Sequence, residues 1–190
     1  MRSEIFSEEL NLIKDKALAD SVRLILDEVV PEYFFRIPAS SSGKYHPWYS
    51  LGYGGLVRHT KAAVKIAADL LGLEQNLSLD ADAIIAALIL HDTFKQGKEE
   101  SGHTINDHPR EAKRTIAEWV IHSLPADQQR PFSKICSLIA SHMGEWNEYQ
   151  RNDTDPPTTY YLPKPQTEEE KFVHMCDYLA SRKYLIVEVQ

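Results

Sequence analysis

An apolar stretch of the chain ends in side chains that can bind a metal ion or move a proton. Residues 83–90 are all Ala, Ile or Leu, and His91, Asp92 and, three residues on, Lys95 follow them. So apolar a stretch is expected to be buried, and burying an imidazole and a carboxylate costs free energy unless something pairs with them. Two interpretations are open here: the pair bonds itself or the backbone at a helix end, or it binds a metal ion.

Other residues of the same chemistry lie at the ends or on the apolar faces of other predicted helices. They are His59, His108, His142 and Asp177. A lone histidine on an apolar face, as His59 is, is more often a hydrogen-bonded core residue than a ligand. As a set, however, they are what all-α scaffolds use to build a metal site from facing helices. Nitrogen and oxygen donors leave manganese, iron, zinc, magnesium and nickel open.

The spacing of apolar residues predicts an all-α fold whose helices position this set. The predicted helices run from Ser7 to Val30, from Leu56 to Leu71, from Asp80 to His91, from Asp107 onward, from Ala126 to Met143 and from Thr167 onward. Pro31 ends the first helix, Asp107 is a predicted N-cap, and Thr167 and Glu170 form a predicted capping box. His108 is therefore expected at a helix N-terminus.

Two long segments between these helices are predicted to be loops. The loop over residues 32–56 is rich in aromatic residues and glycine, and no acidic residue occurs from Arg36 to Lys65. It forms either a positive, aromatic rim suited to a phosphate-containing ligand or a solvated loop with chance charges, and Tyr45 and His46 are hypothesised to line the substrate mouth. Residues 144–166 are predicted to be irregular, and such a segment could close over a site.

Composition limits the class of protein. The 190 residues are interpreted as one domain, 1–190, with an N-terminal scaffold helix over 1–30 and a site-bearing core over 53–183. A net charge of −7 disfavours a general polyanion binder. The acidic start and the lack of an apolar run of roughly 20 residues predict a cytoplasmic protein that does not enter the membrane.

Smaller features complete the prediction. Cys136 and Cys176 lie in helical apolar patterns, which favours free thiols. His103 and His122 are expected to be solvent-exposed or helix-capping, with His103 as the alternative ligand if His108 points elsewhere. The segment from Tyr184 to Val189 is predicted to form a short C-terminal strand or a docked tail.

The order of these residues resembles the HD superfamily of metal-dependent phosphohydrolases, over most of the chain from Tyr53 to Lys183. The segments that carry the resemblance are Gly54-Gly55-Leu56-Val57-Arg58-His59-Thr60, Leu90-His91-Asp92-Thr93-Phe94-Lys95, Asp107-His108-Pro109, Ser141-His142-Met143-Gly144 and Cys176-Asp177-Tyr178-Leu179-Ala180-Ser181. The glycine pair before His59 and the Ser-His step before Gly144 look most like the HD domain of YhaM-type bacterial exoribonucleases.

The resemblance implies a role for each matching residue. It implies an HD-domain helical bundle in which one metal ion binds His59, His91, Asp92 and Asp177, and in which Asp92 bridges to a second ion on His108 and His142. Met143 stands where a second histidine often stands, and a thioether is a poor ligand for a hard ion, so one or two ions are expected. Lys95 matches a lysine that contacts substrate phosphate or the attacking water.

The implied function is hydrolysis of a phosphate ester or anhydride by attack of a metal-bound hydroxide, as in a nucleotidase or phosphodiesterase. Lys95 and Arg58 would offset the negative charge that develops. The expected substrate is a phosphate-containing small molecule, such as a nucleotide, or a short single-stranded oligonucleotide, and the protein could form homo-oligomers. The alternative is an HD module that binds a nucleotide or regulates without turnover.

Overall fold

Helices make up most of the computed structural model, which describes residues 1–40, 42–44, 46–151 and 156–189. Its α-helices are α1 (Ser7–Leu10), α2 (Lys16–Glu28), α3 (Gly55–Leu71), α4 (Ala81–Leu90), α5 (His108–Ser123), α6 (Ala126–Ser141) and α7 (Glu168–Ala180). Short 3-10 helices cover Arg2–Phe6, Glu32–Phe35, Trp48–Ser50, Glu74–Asn76 and Gly144–Trp146. The prediction of an all-α fold is confirmed.

Helix α4 lies at the centre of the fold. Every residue from Ala83 to Leu90 is buried, as expected of a helix that is apolar on all sides. Helices α3, α6 and α7 contact α4, and α5 packs on α6. Because α4 is enclosed along its length, the residues that follow its last turn enter the protein interior instead of the surface.

The predicted starts of α5 and α7 differ in how they are capped. Thr167 and Glu170 form the reciprocal capping box that the sequence predicts at the start of α7. Asp107 precedes α5 as predicted, but its side chain does not cap the helix. Instead its carboxylate lies 3.4 Å from the guanidinium of Arg110.

The prediction of one helix from Ser7 to Val30 was wrong. The chain forms α1, turns over residues 11–15, and starts again as α2. A carboxylate distant in the sequence holds the turn, because Asp82 accepts hydrogen bonds from the backbone N–H groups of Lys14 and Asp15. Asp15 then caps α2 by accepting from Ala17 and Leu18.

The segment over residues 144–166 is more regular than predicted. Strands β1 (Glu148–Arg151) and β2 (Thr158–Tyr161) pair in an antiparallel hairpin, with Tyr149 opposite Tyr160. The two tyrosine rings stack with centroids 5.6 Å apart. The hairpin leaves α6 through the 3-10 turn Gly144–Trp146 and is tied to α5, since Arg110 donates to the carbonyl of Tyr161.

The C-terminal residues take the second of their two predicted forms. No strand forms in residues 184–189; the segment is a docked tail whose Val187 and Val189 pack on the hydrophobic core. Lys65 on α3 donates to the carbonyl of Glu188. A strand needs a neighbouring strand edge with which to pair, and this part of the molecule presents a helix face.

Cys136 and Cys176 are buried free thiols, as predicted. Burial raises the pKa of Cys136 to about 11 and that of Cys176 to about 12, so both stay protonated at neutral pH. No helix of the described ranges has the length and apolar character needed to span a membrane.

Candidate metal centre

The carboxylate of Asp92 lies between two groups of histidines. His91 and Asp92 follow the last turn of α4 and are both buried. Asp92 Oδ2 is 3.5 Å from His91 Nε2, whereas Asp92 Oδ1 is 3.1 Å from His108 Nε2. The two oxygens of one carboxylate thus face different sets of side chains.

On the Oδ2 side, helices α3 and α7 each contribute one residue. His59 Nε2 lies 2.9 Å from Asp177 Oδ1 and 3.9 Å from Asp92 Oδ2. His91 Nε2 lies 3.5 Å from the same oxygen of Asp177. Four donor atoms from three helices therefore converge at one point, and the ring nitrogens of His59 and His91 with Asp177 Oδ1 are close enough together to hold one metal ion.

On the Oδ1 side, the start of α5 and the end of α6 meet. His108 Nε2 and His142 Nε2 are 3.3 Å apart, and His142 Nε2 is 3.7 Å from Asp92 Oδ1. His91, Asp92 and His142 form a second group whose ligand atoms are close enough for one ion. Asp92 has one oxygen on each side, as a carboxylate that bridges two ions would have.

The backbone fixes the protonation of three of these rings. The Nδ1 atoms of His91, His108 and His142 each lie 2.7 Å from the carbonyl oxygen three residues earlier, on Leu88, Ile105 and Ile139. A carbonyl only accepts, so each Nδ1 carries the hydrogen. In the neutral ring, Nε2 then presents a lone pair to the centre. This is the arrangement that histidine ligands of metal ions commonly adopt.

The donor set fits a divalent cation. His91 Nε2 and Asp92 Oδ1 are buried and have no hydrogen-bond partner among the described residues. Lone pairs of nitrogen and carboxylate oxygen that face one another in the interior are costly unless a cation lies between them. The set contains no thiolate, so it suits manganese, iron, zinc, magnesium or nickel without choosing among them.

The electrostatics keep the carboxylates ionised. Burial alone would raise the pKa of Asp92, but the nearby Lys95 ammonium and the His91 ring hold it well below its usual range. Burial likewise opposes ionisation of Asp177, but the neighbouring His59 and His91 rings lower its pKa well below the usual range. Burial lowers the pKa of His108, which favours its neutral form, whereas at His91 the carboxylates of Asp92 and Asp177 outweigh burial and raise the pKa. Ionised carboxylates and neutral imidazoles are the forms that bind metal.

A cavity of about 470 Å³ opens onto the centre. It is lined by Ala39, Ser40, His46, His59, Asp92, Lys95, Thr104, His108, His142, Met143, Trp146, Asp177, Tyr178, Ser181 and Arg182. The ammonium of Lys95 lies 2.5 Å from Asp92 Oδ2, so the predicted catalytic lysine is beside the centre. The residues that the sequence assigned to a metal site, apart from fully enclosed His91, all line this cavity.

Arg58 does not lie where its predicted catalytic role requires. Its guanidinium donates to the backbone carbonyls of Tyr49 and Leu51, and Arg58 is not among the residues that line the cavity. A guanidinium that binds the loop in front of α3 supports that loop and is not available to a substrate. Sequence reasoning failed here because Arg58 precedes His59 in the chain but points to another side of the helix.

The predicted positive rim is also weaker than its residues suggested. Arg36 forms an ion pair with Glu100, at 2.7 Å, and Lys61 lies 3.7 Å from Glu9. Lys65 binds the carbonyl of Glu188. Acidic groups absent from the loop itself are thus supplied by other segments. Near the centre, the cations that line the cavity are Lys95 and Arg182.

The remaining histidines named in the prediction divide between the cavity and the protein surface. His46 lines the cavity, and its ring centroid is 5.4 Å from that of His59. Burial and the neighbouring His59 lower its pKa to about 3, so it is neutral. His103 and His122 are exposed, as predicted, and neither lines the cavity. Tyr45, predicted to line the substrate mouth, lies outside the described residues.

Sequence reasoning missed His174. This side chain on α7 bonds to the backbone of a candidate ligand. Its Nδ1 lies 2.8 Å from the carbonyl oxygen of His142, and because a carbonyl only accepts, Nδ1 carries the hydrogen. His174 therefore joins α7 to the end of α6 at the residue that carries a candidate ligand. Its position one turn before Tyr178, near Asp177, was the available signal.

Fold and centre together define a class: an all-helical domain with a buried histidine and aspartate centre suited to divalent metal. A comparison with protein families matches residues 56–182 to the HD domain. The match spans more than half of the chain, and the chain belongs to the HD domain family. HD domains are typically metal-dependent phosphohydrolases. Searches of curated proteins and of solved structures found no match.

Proposed function

We propose that the protein is a metal-dependent phosphohydrolase that cleaves a phosphate ester or anhydride. The observation that carries the proposal is the two-sided environment of Asp92, with His91 near Oδ2 and His108 near Oδ1. A histidine and an aspartate that only ended a helix would not need imidazoles beside both carboxylate oxygens. The cavity above it gives a substrate of nucleotide size access to the same atoms.

The proposed ligands divide between two ions. His59, His91, Asp92 and Asp177 would hold the first ion, and His108 and His142 would hold the second together with Asp92. Met143 lines the cavity beside His142. Its thioether is a poor ligand for a hard cation, so the second site would have fewer protein ligands and would bind its ion more weakly.

When bound, a divalent cation at this centre would lower the pKa of a coordinated water and neutralise charge on phosphoryl oxygens. The chain itself supplies the orientation, because three of its imidazoles are held by backbone carbonyls. Lys95 supplies a positive charge at the cavity wall. In the proposed reaction its ammonium leaves Asp92 Oδ2 and binds the phosphoryl group as negative charge builds up there.

The proposed substrate is a nucleotide or a short single-stranded oligonucleotide, and the protein acts as a nucleotidase or phosphodiesterase in the cytoplasm. The net charge of −7 and the ion pair that Glu100 forms with Arg36 of the 32–56 loop disfavour long duplexes. The resemblance of the His59 and His142 segments to YhaM-type exoribonucleases supports trying short RNA first. A cavity of about 470 Å³ suits one nucleotide unit better than an extended strand.

A second candidate is an HD module that binds a nucleotide without hydrolysing it. The fold and the metal ligands would serve either function. The ion pair between Lys95 and Asp92, however, places an ammonium at the centre itself. A binding module has no chemical need for that cation beside a metal site, so the hydrolase is favoured.

The test joins metal analysis to a substrate screen. Purified protein is expected to contain divalent metal and to release phosphate or nucleoside monophosphate from a panel of nucleotides, cyclic dinucleotides and short RNA and DNA. Asp92→Asn keeps the side-chain volume but weakens both sites. Since losing a residue that merely supports a ligand costs about 10- to 100-fold, losing the shared ligand should cost about 100-fold or more in activity.

The matched control is Asp69→Asn, which makes the same change on an exposed position of α3. It should retain both metal and activity. Full activity in Asp92→Asn would contradict the assignment of the site. Tight nucleotide binding with no turnover in any of the metals would replace the hydrolase with the binding module.

A further inference from the structure

We propose that Trp146, Tyr178 and Arg182, together called the Trp146 stack, bind the nucleobase of the substrate whose phosphate lies at the Asp92 centre. The inference rests on the proposed function for the position of the phosphate. It adds that the substrate carries a base and that the indole of Trp146 recognises it by stacking. Sugar phosphates without a base would then be poor ligands.

The rings of the Trp146 stack are already arranged for stacking. Trp146 and Tyr178 are nearly parallel, with an interplanar angle of 11° and centroids 5.5 Å apart. The guanidinium carbon of Arg182 lies 4.1 Å from the centroid of Tyr178. The Arg182 guanidinium is held in place by hydrogen bonds from Nε and Nη2 to Ser181 Oγ. Stacking between aromatic and guanidinium planes restricts all three side chains.

The indole of Trp146 is free to take one more ring. Its residue is 52 % exposed although one face lies against Tyr178. The His174 ring approaches at 58°, which is an edge contact and not a second parallel ring. A half-exposed indole whose covered face is stacked presents its other face, a large apolar surface, to the solvent in the cavity.

The Trp146 stack and the Asp92 centre share one cavity. All three stack residues line it together with Asp92 and Lys95. Tyr178 directly follows Asp177 on α7, and Trp146 lies in the turn that follows His142. Two residues of the stack therefore lie close in the chain to two candidate metal ligands, Asp177 and His142. A ligand with an anionic end and an aromatic end would meet cations at the first and a π surface at the second.

A nucleobase is the occupant that this chemistry fits. Every base has a π face, and base–aromatic stacking is sequence-tolerant and worth about 1–3 kcal/mol by alanine substitution, which is about 5- to 150-fold in affinity. An arginine beside the aromatic rings adds a cation–π contribution. An acyl chain could also cover the indole but has no π face to stack on it, so a lipid phosphate is the less favoured ligand.

The test measures binding, so that it does not depend on turnover. The probes are the phosphonate analogues of AMP and of ribose 5-phosphate in which a CH2 group replaces the ester oxygen and prevents hydrolysis. Their Kd values are measured by calorimetry on metal-loaded protein. Wild type should bind the AMP analogue about tenfold more tightly than the ribose analogue.

Trp146→Ala should abolish this difference while leaving the Kd of the ribose analogue and the metal content unchanged. Trp146→Phe should retain most of it, since a smaller ring still stacks. The control is Trp48→Ala, which removes an indole that is 74 % exposed and is not among the residues that line the cavity. Trp48→Ala should bind both probes like wild type.

The inference is overturned if wild type binds both probes equally, or if Trp146→Ala weakens both to the same extent. Its failure is distinct from that of the proposed function. Base-selective binding that depends on Trp146, without hydrolysis of any phosphate, would leave the stack in place and remove the hydrolase. Hydrolysis of phosphates without base selectivity would do the reverse.

Discussion

At the scale of single residues, Asp92 and Lys95 have separable roles. Asp92 contributes one oxygen to each side of the centre, whereas Lys95 contacts only Oδ2. Removing a shared ligand should disassemble the site, but removing a cation that competes with metal for a carboxylate should not. The two residues can therefore be told apart by measuring metal content and rate on the same samples.

Lys95→Ala should keep its metal and lose rate. Preorganised charges at the reacting phosphoryl group typically contribute 10²- to 10³-fold, so kcat should fall on the order of 100-fold. Metal content, measured by elemental analysis, should equal that of wild type. Lys98→Ala, an exposed lysine three residues further along the chain, is the control and should be fully active.

A Lys95→Ala variant that lost metal together with activity would instead make Lys95 part of the assembly of the site. Unchanged kcat would remove it from the chemistry altogether.

Residue chemistry alone identified the candidate ligands but not what holds them. His59, His91, Asp92, His108, His142 and Asp177 were selected because imidazoles and carboxylates are unusual at apolar helix ends. Only the resemblance to a family indicated that they converge. His174 was missed and Arg58 was assigned to the chemistry because a hydrogen bond from a side chain to a backbone carbonyl leaves no pattern in the sequence.

At the scale of elements, the apolar pattern of the sequence predicts a helix best where that helix buries one face or its whole surface. Helix α4 was predicted within a residue or two because alanine and leucine, which are strong helix formers, make up most of its apolar run. The break before Lys16 was missed because Asp82, far along the chain, binds the backbone there. The hairpin was missed because Glu148–Arg151 is polar and lacks the alternation that predicts a strand.

The turn after α6 makes the centre depend on a glycine. Gly144 has a φ of +57°, and a Cβ built there would overlap the ring of His174. That ring binds the carbonyl of His142, whose side chain is a candidate ligand. Any side chain at this position would therefore have to displace the His174 ring.

Gly144→Ala should consequently weaken metal binding as well as the fold. Displacing His174 removes the support of His142, and losing such support typically costs about 10- to 100-fold in metal affinity. The affinity is measured by titrating metal-depleted protein. Thermal unfolding of the same samples reports the cost to the fold.

Gly52→Ala separates strain from overlap. Gly52 has a φ of +69°, but nothing lies within 4 Å of a Cβ built there. It should show the cost of a left-handed alanine, about 1–2 kcal/mol, with normal metal affinity. If both variants bound metal alike, His174 would not be a support of the centre.

At the scale of the whole molecule, the centre connects helices that are distant in the sequence. Its candidate ligands come from α3, the end of α4, α5, the end of α6 and α7. A cation bound there would join all five segments, and a ligand that binds only the folded state stabilises it by mass action. The centre should therefore contribute to the stability of the entire domain and not only to activity.

Metal removal should lower the melting temperature. At a free metal concentration of about 100 times Kd, the stabilisation is about 2.7 kcal/mol. For a chain of this size that corresponds to about 5–10 °C in Tm. Scanning calorimetry with and without chelator measures the shift, and restoring the metal should reverse it. Asp92→Asn, which lacks the shared ligand, should show almost no shift.

The shift should also depend on pH in one direction. Metal binds the unprotonated imidazoles, so protons compete with it, and the chelator-sensitive part of Tm should shrink as the pH falls from about 8 to about 5. A chelator-sensitive Tm that stayed constant over this range would argue against histidine ligands. Equal Tm values with and without chelator at pH 8, in protein shown to contain metal, would mean that the ion binds outside the centre that joins the five helices.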